Sequence, residues 1–252
     1  MHRTAPPLPR TRLPGLLLGL LATAASARAA PLAAARHGDF GHYTLALTWQ
    51  PGFCATDGGC LPDQPHATLI GLHGLWASRP QALIRRGISA PQWWSHGCDY
   101  FDHSRGAPPL PPATLARLNA VMPHLQDSLL THEYDKHVQC FGFDTQAFFE
   151  TELRMRRQVA DSAFGRYLTV TARGHDVRRT DVLHAFMRAF DTDRPSSLQL
   201  RCGRNVRRRV VLTQLWITLR TDALASFPRA GLMDAPTPQH NCPAHFQVPD
   251  WR

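Results

Sequence analysis

The stretch Thr131 to Cys140, THEYDKHVQC, gathers two histidines, a glutamate and the only lysine of the chain within six residues. On a helix that turns roughly 100° per residue, His132, Lys136, Glu133 and His137 fall at roughly 0°, 40°, 100° and 140°, a single sector. Tyr134 and Asp135 point elsewhere, free to pack or to meet solvent. Such a one-sided polar cluster is either a solvated helix face or a site of chemistry.

Three chemistries can be weighed on these residues. His132 and Glu133 begin like the helical H-E-x-x-H zinc pattern, which needs two histidines four apart on one face. Here Lys136, a cation, stands where the second ligand belongs and His137 comes one position late, so no metal and no other cofactor is expected. Nucleophilic catalysis lacks a G-x-S-x-G segment, and the cysteines are better suited to disulfides. Acid-base chemistry remains. Two histidines can serve as base and acid near neutral or mildly acidic pH, and a lysine beside them can stabilise charge growing on a phosphoryl group. These are the parts that metal-free RNA cleavage requires.

The elements that must position this cluster follow from the pattern of the rest. Tyr43–Trp49 is apolar and β-prone, ends at the turn signal Gln50, Pro51, Gly52, and predicts a buried strand. Ala67–Trp76 is apolar on both faces and predicts a central strand, with His73 inside it as either a satisfied core residue or a catalyst. Gln81–Arg105 reads as a short helix and a covering loop whose Trp93, Trp94 and Tyr100 suit core or lid packing better than base stacking. Helices are predicted over Ala113–Met122, from Leu125 through the cluster, over Thr145–Ala160, and over Asp181–Phe190 with Thr180 as N-cap. Leu198–Cys202 and Arg209–Leu219 read as late strands, with Arg207, Arg208 and Arg209 an edge guard rather than a phosphate patch. The tail around Cys242 reads as a loop tied down by its cysteine.

The N-terminus predicts export. Arg3, Arg10 and Arg12 precede an apolar run, followed by small residues at Ala27 and Ala29, the layout of a secretory signal over residues 1–29. Cleavage there leaves 223 of the 252 residues, enough for one large domain over 30–252. No later stretch approaches the ~20 consecutive apolar residues of a membrane span. The formal charge of +9 falls to +5 without the four arginines of the signal, a modest excess that fits either a polyanionic partner or a solvated surface. Cys54, Cys60, Cys98, Cys140, Cys202 and Cys242 form an even set in an exported chain and predict disulfides; the 15 possible pairings stay open, with only Cys54 and Cys60 suggested locally across a turn-like ATDGG. Nothing in the sequence demands more than a monomer.

LHGLW at Leu72–Trp76 and HEYDKHVQC at His132–Cys140 resemble the two active-site segments of the ribonuclease T-two family. FGHYTLALTWQPGFC from Phe40 and KHVQCFGFDTQAFF from Lys136 are similar to its bacterial periplasmic members, so the resemblance runs from about Phe40 to the C-terminal cysteines. It implies a disulfide-stapled α+β domain, a central mainly antiparallel sheet flanked by helices, with the first histidine on the sheet and the second segment on a helix. By motif position it makes His137 the general base, His73 the general acid, Glu133 and Lys136 the groups that orient or stabilise the phosphoryl centre, and His132 a contact to phosphate or base. Trp76 would stack on a base or pack in the core. The substrate implied is RNA, cleaved with low base specificity, in the periplasm or outside the cell. The pairing implied is Cys54 with Cys60, Cys98 with Cys140, and Cys202 with Cys242. Val138 and Ala77 replace the Gly and Pro usual in the family, and Ser78 stands where some relatives carry an acidic base contact; if that glycine supplies a special backbone angle, Val138 would slow the reaction.

Overall fold

Trp49, Leu47, Leu45 and Tyr43 alternate along one strand, β1 (His42–Trp49), and all are buried. This places their face against the helices and leaves His42 and Thr44 on the other. The computed structural model describes residues 1–2, 32–56, 59–229, 231–234 and 240–251; the predicted signal lies outside these apart from its first two residues. Pro51 ends β1 by opening a single helical turn, α1 (Gln50–Phe53). The return strand β2 (Ile70–Ala77) pairs antiparallel with β1 from Trp49↔Ile70 to Tyr43↔Ala77. It starts at Ile70 rather than Ala67 because β1 has no residue left to pair beyond Trp49.

The helices α2 (Gln81–Arg85), α3 (Ala90–His96), α4 (Pro112–Asn119), α5 (Leu129–Glu133), α6 (Thr145–Ala160) and α7 (Ala163–Arg166) follow. Next come β3 (Asp176–Arg178), α8 (Arg179–Phe190), β4 (Leu198–Arg204), β5 (Val210–Arg220) and β6 (His245–Gln247). Among the described residues, six strands form one sheet in the order β2-β1-β5-β6-β3, with β4 also on β5. Every pairing is antiparallel except the single β5–β6 contact, Val211↔Gln247. β2 lies at the edge, and its open side is covered: the Leu72 amide donates to Val121 O at 2.9 Å and the Arg156 guanidinium to Ile70 O at 2.6 Å. Covering an edge removes a template for aggregation and fixes α6 against the strand that carries His73.

Phe148, Phe149, Met155 and Val159 of α6 are buried with Leu45, Leu75, Leu215 and Ile217 of the sheet. Burial of each such side chain contributes roughly 1.5–3 kcal/mol. Three disulfides join Cys54–Cys60, Cys98–Cys140 and Cys202–Cys242, the pairing the resemblance implied.

Several local expectations differ from the structure. The N-cap of α8 is Arg178, not Thr180, because β3 runs straight into the helix. The three-residue strands β3 and β6 pair with each other and are too short to show a period, so the tail is not wholly a loop. Arg207 to Arg209 form the β4–β5 turn, where Asn205 Oδ1 accepts from the amides of Arg207 and Arg209 and Arg209 meets Asp176 at 3.0 Å. Among the described residues no helix is long and apolar enough to cross a membrane.

Candidate active site

The cluster segment starts later than its periodicity suggests and is not a regular α-helix. The Ser128 hydroxyl caps α5 by accepting from the Thr131 amide at 3.3 Å. The chain then widens into a π-helical turn, Tyr134–Val138, and closes through a 3₁₀ turn, Gln139–Phe141, ending at left-handed Gly142. Five-residue closure brings residues five apart onto one face, so His132 and His137 come together with ring centroids 6.3 Å apart instead of drifting round the axis. Leu129, Leu130, Tyr134 and Val138 bury the opposite side, and Asp135 accepts from the Gly106 amide at 2.9 Å.

His73 reaches the same place from the sheet. Ala46 pairs with Gly74 and Leu47 with Leu72, which leaves His73 as the extra residue of a β-bulge. A bulge re-aims the side chain it carries. His73 Nε2 lies 3.3 Å from Glu133 Oε1, and the Trp76 indole N–H donates to Glu133 Oε2 at 2.6 Å. The close approach depends on Gly74, where a Cβ would lie 2.1 Å from Glu133 Oε2. Gly97, at φ +53°, does the same for the helical segment, since a Cβ there would lie 2.3 Å from the Lys136 carbonyl. Trp76 thus stands between the two imidazoles, 5.3 Å from His73 and 5.4 Å from His137 by ring centroid. It is a wall of the site rather than a residue of the core.

Burial drives His137 down to about 4; the Glu133 carboxylate opposes this and the Lys136 cation adds to it. Burial also lowers His132. Glu133 is buried, which alone would raise it, yet the positive charge that His137 carries when protonated, the contact with His73 and the Trp76 indole hydrogen bond together hold it below the ordinary carboxylate value. The result is an ionised carboxylate facing neutral His137. His132, Glu133 and His137 each offer a ligand atom within 4.8 Å of the others, closer than the late position of His137 suggested. Glu133 is already engaged by His73 and Trp76, and Lys136 keeps a cation beside the group, a donor set poorly suited to a divalent ion.

These residues line a groove of about 600 Å³. On one side stand Ser78, Ile84, Trp93 and Trp94, and on the other Thr44, Gln199, Trp216 and Thr218 from the sheet. Trp93 is buried, as core or lid packing required, while Trp94 is exposed at the rim. The sheet residues were missed from sequence, although Gln214, Trp216 and Thr218 recur at every second position of an otherwise apolar strand. The Ser78 hydroxyl oxygen accepts from the amides of Gly41 and His42 at 3.0 and 3.1 Å, which uses its lone pairs and leaves its O–H to donate. Val138 has φ −120°, an ordinary angle for a branched residue, so no left-handed backbone is forced on it.

The Ribonuclease T2 family model matches residues 40–229. The chain belongs to this family. Ribonuclease I of Escherichia coli (strain K12) is similar at 30% identity over 253 residues, covering 88% of this chain and 91% of that one. Among solved structures, the self-incompatibility-associated SF11-RNase of Nicotiana alata superposes with a TM-score of 0.58 at 18% identity, over 85% of this chain and all of that one. Ribonuclease MC1 from bitter gourd seeds gives 0.55 at 19%, over 82% of this chain and all of that one. At these identities the structures show the ribonuclease T2 fold alone.

Proposed function

We propose that the protein is an exported, metal-independent endoribonuclease of low base specificity that cleaves RNA through a 2′,3′-cyclic phosphate. The observation that carries this reading is the meeting of two imidazoles, one from a strand bulge and one from a π-helical turn, across the buried Glu133 carboxylate. His137, kept neutral by burial, takes the proton of the ribose 2′-hydroxyl. The 2′-oxygen then bonds to the adjacent phosphorus while the bond from phosphorus to the 5′-oxygen breaks, and His73 gives the departing oxygen its proton. Lys136 supplies positive charge to the phosphoryl oxygens, and Glu133 orients His73 and Trp76. His132, at the same rim, contacts phosphate or base. DNA lacks the nucleophile, so selectivity for ribose follows from the mechanism.

Export is supported by the residue 1–29 pattern and by the pairing of all six cysteines, which suits the periplasm or the cell exterior. The test is hydrolysis of defined oligoribonucleotides in excess chelator with product mapping. A 2′,3′-cyclic phosphate product, and its loss in His73→Ala and His137→Ala, are expected. Chelator-sensitive cleavage, or full activity in either variant, would overturn the reading.

A further inference from the structure

The segment Arg201–Arg209, RCGRNVRRR, carries five arginines and no acid. Its sequence suggested a guard on an exposed strand edge, and the structure removes that role. Arg207 and Arg208 stand in the turn between β4 and β5, off either strand. The outer edge of β4 is already covered: the Cys202 amide donates to Asn241 Oδ1 at 2.7 Å, and Asn241 Nδ2 donates to the Cys202 carbonyl at 3.0 Å. Concentrated like charge works against the compact state, so its presence here calls for another reason.

The turn is closed from within, and this holds its guanidiniums outward. Asn205 is buried; its amide donates to Arg209 O at 3.1 Å, its carbonyl accepts from the Arg208 amide at 2.7 Å, and its side chain holds the amides of Arg207 and Arg209. Arg208 sits in the left-handed region at φ +61°, where glycine or asparagine is the ordinary choice. Arg209 is paired with Asp176, and Arg204 Nη1 donates to the Arg208 carbonyl at 3.0 Å. Arg207 and Arg208 are exposed, and among the described residues their guanidiniums have no hydrogen bond or ion pair.

This cationic surface is continuous with the catalytic groove. The Arg201 guanidinium lies 4.5 Å from the ring centroid of Trp216, a wall of the groove. A second connection runs from His73: Phe53 meets its ring edge to face at 5.9 Å, the Thr56 hydroxyl donates to Phe53 O at 2.8 Å, and a Cβ at Gly203 would lie 2.9 Å from Thr56 Cγ2. From Trp216 to Val210 β5 descends six residues, roughly 20 Å of strand. The turn therefore lies well outside the groove, within reach of a long polynucleotide and beyond a dinucleotide.

We propose that the β4–β5 turn is a phosphate-backbone exosite, in which Arg204, Arg207 and Arg208 hold single-stranded RNA several nucleotides from the bond being cleaved. The exosite rests on the ribonuclease reading for the identity of its ligand. Guanidiniums grip phosphate oxygens without reading bases, so the turn raises affinity for long RNA and adds no base preference. Val206 is the one exposed apolar side chain at the tip, too little surface to seat the turn in a bilayer.

The test compares wild type with a double variant, Arg207→Ser with Arg208→Gly, which removes two charges and gives the left-handed position the residue that adopts it without strain. Arg207→Lys with Arg208→Lys keeps the charge. The readout is kcat/KM on an oligouridylate of about 20 nucleotides, longer than a single-domain site, divided by kcat/KM on the dinucleotide UpU, across a salt series. On the long RNA the log–log salt slope should be shallower by about 0.7 for each charge removed, so between about 50 and 200 mM salt wild type loses about sevenfold more than the double variant. The lysine variant keeps the wild-type slope. Equal slopes in wild type and the Ser/Gly variant overturn the exosite.

Fluorescence anisotropy of labelled RNA, and of single-stranded DNA of the same length, titrated with His137→Ala with and without the Ser/Gly changes, gives a readout free of turnover. If wild type fails to cleave RNA, the ribonuclease reading falls while these titrations still decide the exosite. Weaker binding of both nucleic acids at low salt on loss of the two arginines supports it, and unchanged affinity removes it. Cosedimentation with vesicles of phosphatidylglycerol and phosphatidylcholine that is lost in the Ser/Gly variant, with RNA affinity unchanged, assigns the turn to a membrane surface and overturns it as well.

Discussion

Glu133 is the residue on which the site turns, because it touches the strand through His73 and Trp76 and biases His137 from its own segment. A buried imidazole held down to about 4 is neutral over the whole range in which a general base must work. The acid limb of kcat/KM is therefore expected near pH 4; a limb near 6.5 would remove His137 from the base role. Stability follows with a determined sign. The unfolded chain binds a proton at His137 from about 6.5 downward, whereas the folded protein does so only near 4. The contribution of His137 to stability is thus flat above about 6.5 and falls as pH drops toward 4, by on the order of 3 kcal/mol. Glu133 acts in the same direction, since its lowered folded value stabilises at neutral pH and that contribution is lost in acid. Calorimetric Tm measured between pH 4 and 7 should show this slope in wild type and a shallower one in His137→Gln.

At the scale of elements, the site needs a bulge, a π-turn and two glycines to bring separate segments within contact distance. Gly74→Ala tests this without touching a reacting group. Its new Cβ would lie 2.1 Å from Glu133 Oε2, so Glu133 must withdraw from Trp76 and His73 or β2 must shift. The expected result is a fall in kcat of about a hundredfold, the scale of a misplacement near 1 Å, with the near-ultraviolet signal of Trp76 altered. Wild-type kcat would mean that the Glu133 geometry is not needed. The composition of the cluster and its one-sidedness were legible in the sequence, as were β1, β5 and α6, because long runs with a clear period report their own burial. The bulge at His73 was not, since it exists only in the register against β1. The π-turn was hidden too: its one additional residue per turn is set by packing of Tyr134 and Val138 and by the Lys136 backbone against Gly97. The groove face of the sheet was overlooked because Gln214, Trp216 and Thr218 acquire meaning only beside Gln199 and Trp76.

For the whole molecule, the three disulfides divide the work of holding this arrangement. Cys98–Cys140 and Cys202–Cys242 close loops of 42 and 40 residues in sequence separation, and Cys54–Cys60 one of 6. Loop-closure entropy then assigns about 4 kcal/mol to each of the first two and about 2 kcal/mol to the third. Their effects on turnover differ for a separate reason. Cys140 follows His137 by three residues and Cys98 adjoins Gly97, which seats the Lys136 backbone, so this bridge ties the π-turn to the wall that carries Trp93 and Trp94. Cys202–Cys242 fastens the C-terminal tail to β4, away from both imidazoles. Replacing Cys98 and Cys140 together by Ser should lower the denaturation midpoint and also kcat at temperatures where the protein is still folded. Replacing Cys202 and Cys242 by Ser should lower the midpoint by a similar amount while leaving kcat near wild type. Urea unfolding together with initial rates at 10 °C separates the two effects, and equal loss of kcat in both pairs would show that rigidity of the whole fold, rather than the local tie to the catalytic turn, sets the rate.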